Sequence, residues 1–240
     1  MTLPDLALQI VYARLGWAVV AACFLAALLA SMLRLAPLPR KLLGAIMAGA
    51  LVVMALPGEL SPAYWLGLAF QYPSGLLVGC CAVRLVERWH GIRRSRAMPH
   101  ALAGVLVVCG TLLYLDTFGL LARGLYDAGF GPTLVPLLAV LGAAACAWAV
   151  VRGHARRTAA PLLAAIALFS LLRLPSGNLW DALLDPLLCL WAIGALVAAV
   201  FGRSGRRATD RVQPQAESPV APVTPYVQPA PLQQFSSLKE

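Results

Sequence analysis

The chain alternates between long apolar runs and short segments that collect nearly all of its charge. The central run, 63–83, holds 21 residues without a formal charge. At ~1.5 Å of rise per residue, a helix of that length covers the ~30 Å hydrocarbon core of a bilayer. Comparable runs predict further spans over 15–33, 42–57, 99–115, 132–151, 159–172 and 186–202, of which 42–57 and 159–172 are short. The expected fold is all-α: a polytopic integral membrane protein with about seven transmembrane helices in one bundle, 1–211. Residues 1–14 read as a moderately apolar, interfacial segment; without a basic n-region they do not predict a cleaved signal peptide. Residues 212–240 are rich in proline, glutamine and serine and predict a disordered cytoplasmic tail. There Pro219, Pro222 and Pro225 fall on one edge of a polyproline II helix, a candidate docking motif.

Charge orients the spans. Short loops rich in arginine stay in the cytoplasm. Arg34, Arg40 and Lys41 follow the first span, and Arg84, Arg88, Arg93, Arg94 and Arg96 follow the third. Arg152, Arg156 and Arg157 follow the fifth, and Arg203, Arg206, Arg207 and Arg211 follow the seventh. Only Arg14, Arg123 and Arg173 fall on the other side. The pattern predicts the amino terminus outside and the carboxyl terminus inside. Trp17, Trp65 and Trp180 near one boundary, with Trp89 and Trp148 near the other, read as an aromatic belt.

Composition agrees: the chain is 60% hydrophobic and 12% charged, against about 45–50% and about 25% in soluble domains. The net charge of +9 does not indicate nucleic acid, because the basic residues flank apolar runs and topology accounts for them. Arginine far outnumbers lysine, a bias of GC-rich bacterial genomes, so the membrane reads as a bacterial inner membrane. All six cysteines lie in apolar runs without metal-ligand spacing, and no disulfide framework or zinc site is expected. His90, His100 and His154 fall in inside loops, so no haem or metal within the bundle is expected. Lys41 and Lys239 lie outside helix centres, which excludes a retinal Schiff base. No phosphate loop, dinucleotide fingerprint or nucleophile elbow occurs, and no cofactor is expected.

Two groups of residues remain as candidates. The third span carries Gln71, Tyr72, Pro73, Ser74 and Gly75 at its middle. A mid-helix proline frees the carbonyl four residues back, here that of Ala69, and kinks the helix. Gly67, Gln71, Ser74, Gly75 and Gly79 share a face, on which Gly75 and Gly79 admit a close neighbour and Gln71 is expected to point into protein. Gln71, Tyr72 and Ser74 are therefore candidate substrate-binding residues of a midplane site on a broken helix. The second group is acidic: Asp5, Glu59, Asp116, Asp127, Asp181 and Asp185 all fall on the expected outer side. Asp116, Asp181 and Asp185, with Arg173 as a neighbouring cation, are candidate catalytic groups for a lipid-linked substrate. Their structural alternatives are equally specific: Asp185 before Pro186 is an N-cap pattern, and Arg173 can snorkel to the interface.

The hairpin of the second and third spans is echoed by the sixth and seventh: a short helix, a Leu-Pro turn, a tryptophan, then a proline. The resulting layout of three spans, a linker and three spans resembles SWEET-type sugar transporters, a parallel-repeat design whose Pro-Gln motifs are missing here. Three functions follow. The first is a non-enzymatic bundle that assembles in the bilayer with other membrane proteins through its glycine-faced helices. The others are a small-solute transporter and an intramembrane enzyme using the outer carboxylates.

Overall fold

The computed structural model describes residues 5–35, 38–92, 98–121, 123–153 and 156–212. The expectations for the tail, with Pro219, Pro222 and Pro225, lie outside the described residues. By internal contacts the chain divides into Met1–Phe201 and Gly202–Glu240. The packing and the site belong to the first unit; in the second, residues 202–212 are helical.

The elements are α1 (Leu6–Met32), α2 (Arg40–Ala55), α3 (Pro62–Phe70), α4 (Gly75–Trp89) and α5 (His100–Thr117). They continue with α6 (Leu134–Val151), α7 (Arg156–Leu172), α8 (Leu179–Leu183) and α9 (Pro186–Val212). Among the described residues there is no strand. Three helices, α1, α5 and α6, are long and apolar enough to cross a membrane, and Thr158–Leu172 and Pro186–Phe201 are shorter apolar helices.

Two elements differ from the sequence expectation. The first helix starts at Leu6, not near 15. Asp5 caps it by accepting the Ala7 N–H at 2.8 Å, and a single Arg14 inside an apolar stretch does not end a helix. The 63–83 run is not one kinked helix. It stops at Phe70 and resumes at Gly75, leaving 71–74 outside either helix. Ser61 and Pro62 start α3, with the Ser61 hydroxyl accepting from the Ala63 N–H at 3.2 Å.

The core gathers around α4. Its Leu76, Leu77 and Cys81 pack with Ala103 and Leu106 of α5, Ala165 of α7, and Leu188 and Ala192 of α9. α4 also packs against α1, and α6 packs on α7 as α1 packs on α2. The glycine face of α4 is spent inside the chain. A Cβ on Gly75 would lie 3.1 Å from the Ala165 Cβ, and one on Gly79 would lie 3.0 Å from the Pro161 Cβ. The neighbour that these glycines admit is therefore α7. Trp17 also departs from its expected place in an aromatic belt. It is 2% exposed, clusters with Met54 and Ala63, and tilts against Phe70. The early start of α1 puts Trp17 well inside the helix, where it fills core.

Candidate functional site

Two interruptions meet. The first is 71–74 between α3 and α4; the second is 184–185 between α8 and α9. Gln71 turns the chain with φ 59° and ψ −107°, a conformation that costs about 1–3 kcal/mol in a non-glycine residue and needs outside support. That support comes from α1 and from Asp185. The Tyr12 hydroxyl donates to the Pro73 carbonyl at 2.7 Å, and the Tyr72 hydroxyl donates to Gln9 Oε1 at 3.0 Å. Gly16 lies so close to the proline ring that an added Cβ would stand 2.7 Å from Pro73 Cγ.

Asp185 joins the interruptions. One carboxylate oxygen accepts the Ser74 N–H at 2.8 Å, and the other accepts the Leu188 N–H at 2.7 Å. It therefore caps α9 and anchors the entry to α4, with the positive ends of both helices turned toward it. Ser74 itself is fully buried and caps α4 by accepting the Leu77 N–H at 3.1 Å.

Beside this junction lies a cavity of ≈ 300 Å³. Gln71, Tyr72, Tyr114, Tyr126, Asp181 and Asp185 supply polar lining, over an apolar floor that includes Leu113 and Leu184. Thr117, the last residue of α5, and Ser176, in the turn after α7, also line it. The cavity thus sits where α5 and α7 end and α4 and α9 begin. From Gly110 to Thr117 it follows α5 for ~10 Å.

Asp181 is held by two hydroxyls. Tyr126 donates to its oxygens at 3.2 and 3.1 Å, and Ser176 makes a short hydrogen bond to the same carboxylate. Burial, and then the charge of Asp181, push the Tyr126 phenol up to about 12, so it stays protonated and donates at neutral pH. The Asn178 side chain ties the loop down, donating to the Tyr126 carbonyl at 3.2 Å and accepting the Trp180 N–H at 2.9 Å. Among the described residues that line the cavity there is no lysine, arginine or histidine.

Of the sequence candidates, Gln71, Tyr72, Asp181 and Asp185 come together at this cavity. Gln71 is exposed and lines the cavity, where an inward-packed amide was expected. Ser74 serves as a cap and does not line the cavity. Asp116 turns to its own loop, accepting the Arg123 N–H at 2.7 Å and the Tyr126 N–H at 3.2 Å. Arg173 places its guanidinium 5.3 Å from the centre of the Phe169 ring. Tyr12, Tyr114 and Tyr126 were missed as site residues. Tyrosines in apolar or loop segments carry no signal of their own until their partners are known. Among the described residues no three His, Cys, Asp or Glu side chains gather to hold a metal ion. No family model matches the chain, and neither does any curated protein or solved structure.

Proposed function

We propose that the chain is a multi-pass protein of the bacterial inner membrane that binds a small cationic solute in the ≈ 300 Å³ cavity and carries it across the bilayer. In this reading seven segments cross, with the amino terminus outside and the carboxyl terminus inside. The observation that carries it is the convergence of two interrupted helices on one cavity, walled, among the described residues, by two carboxylates and no cation. Interrupted helices are how membrane bundles expose backbone and polar side chains to a solute.

The other readings lose support on specific grounds. Assembly through glycine faces is weakened because α7 fills the face offered by Gly75 and Gly79. The exposed apolar side chains of α5 and α6 are what lipid contact requires. Catalysis by the acids is weakened because Asp116 and Asp185 hold backbone amides and Arg173 lies over the Phe169 ring.

The test is uptake of labelled methylammonium and putrescine into proteoliposomes. Gln71→Ala and Asp181→Asn are expected to cut uptake at least about tenfold, the worth of one charge-assisted contact. Glu59→Gln, exposed and not among the residues that line the cavity, is expected to leave it unchanged. Uptake indifferent to both cavity substitutions would sink the transport reading, and a stoichiometric partner retained in mild detergent would favour assembly instead.

A further inference from the structure

A second, larger cavity of ≈ 760 Å³ runs as a groove between α1, α4 and α9. Its α4 wall is formed by Leu77, Cys81, Arg84 and Arg88, which recur at spacings of four and three and so share one face. Phe24 of α1 and Trp191 of α9 are among the apolar residues opposite. The groove is therefore amphiphilic along its length: apolar from Leu77 to Cys81, cationic from Arg84 to Arg88. That stretch of helix is ~16 Å long, about half of the ~30 Å hydrocarbon core, which is the depth of one leaflet.

At the cationic end Arg84 is paired with Glu87 at 3.7 Å. Arg88 Nη1 is shielded from solvent and has no hydrogen-bond partner among the described residues. Arg40 adds charge to the same end of the bundle, its Nε donating to the Trp89 carbonyl at 2.9 Å. A buried guanidinium nitrogen without an acceptor is costly, and more so at membrane depth. An apolar channel one leaflet long that ends in two arginines, one with a buried nitrogen lacking an acceptor among the described residues, complements an acyl chain attached to an anionic headgroup.

We propose that this groove is a binding site for one anionic phospholipid, with its phosphate at Arg84 and Arg88 and an acyl chain lying along Leu77 and Cys81. The site rests on the chain being membrane-embedded but not on transport at the other cavity. A bound phosphate supplies the acceptor that Arg88 Nη1 lacks among the described residues. The site also ties α1, α4 and α9 together along a face that the protein leaves open.

The experiment is native mass spectrometry of the full chain released from nanodiscs of mixed phosphatidylglycerol and phosphatidylcholine. The expected result is one retained phosphatidylglycerol per chain, with phosphatidylcholine stripped. Arg88→Gln is expected to lower retention about fivefold, the worth of one basic residue at an anionic lipid surface. Ala21→Trp, which fills the groove and leaves both arginines in place, is expected to abolish retention. Equal retention of the two lipids, retention unchanged by both substitutions, or no retained lipid would each overturn the site. The ratio of the two lipids tests the groove, and uptake by the same preparation tests the solute cavity, so either can fail alone.

Discussion

The two helix interruptions look alike in outline and are held in opposite ways. The one at 184–185 is closed locally: Asp185 caps its own helix at Leu188, three residues on, with Pro186 at the first helical position. The one at 71–74 is held from a distance. Its strained Gln71 has no glycine to ease it, its Pro73 carbonyl depends on Tyr12, and its Ser74 amide depends on Asp185. A locally capped break is a property of a short stretch of sequence. A remotely held break is a property of the fold, and it can be undone by substitutions that leave its own residues untouched.

That contrast can be broken most forcefully at the shared residue. Asp185→Ala leaves two buried N–H groups, those of Ser74 and Leu188, without acceptors. Each hydrogen bond to a charged group is worth about 1.5–3 kcal/mol, so a loss of roughly 3 kcal/mol or more is expected in thermal unfolding in detergent. Asp185→Asn, which keeps one carbonyl oxygen, should fall between wild type and alanine. A shift of under a degree for the alanine variant would mean that Asp185 does not join the two breaks.

The next effect sharpens the comparison from α1. Gly16→Ala drives a methyl toward Pro73, 2.7 Å from its Cγ. Overpacking of this kind costs about 1–3 kcal/mol. Gly67→Ala, where nothing lies within 4 Å, removes a helical glycine and is expected to be neutral or to stabilise by up to about 1 kcal/mol. Equal responses at the two glycines would show that α1 does not brace the first interruption. The smallest effect is expected from Tyr12→Phe. It leaves the Pro73 carbonyl unpartnered, for about 1–2 kcal/mol, and is measured by faster amide exchange over 71–78 with little change over 186–190.

Much of this architecture was legible in the sequence, residue by residue. Run length and charge placement identified an all-helical chain with apolar helices, because a bilayer imposes length and polarity directly on a segment. Pro73 marked the place where α3 and α4 separate. Asp185 before Pro186 marked a cap, and Gly75 with Gly79 marked a close approach. The partners were not legible. The sequence could not say that α7 of the same chain fills the glycine face, or that Gln71 opens to a cavity. Nor could it say that Asp116 and Asp181, grouped by charge, both hold Tyr126, one through its backbone N–H and the other through its hydroxyl. Each of these depends on which segments lie side by side, and local spacing carries no information about that. The full break at 71–74 was missed for the same reason. A proline alone predicts a kink; the break also needs Tyr12 and Asp185, which lie 61 and 111 positions from the residues they hold.

The last of those separations has a consequence during synthesis. At about 5–20 residues per second, the ribosome reaches Asp185 roughly 5–20 s after it has made Ser74. For that interval the Ser74 N–H lacks the acceptor that Asp185 supplies in the finished fold. Nascent chains stalled short of residue 185 should therefore be clipped by protease near 71–74, and chains released just beyond it should be protected.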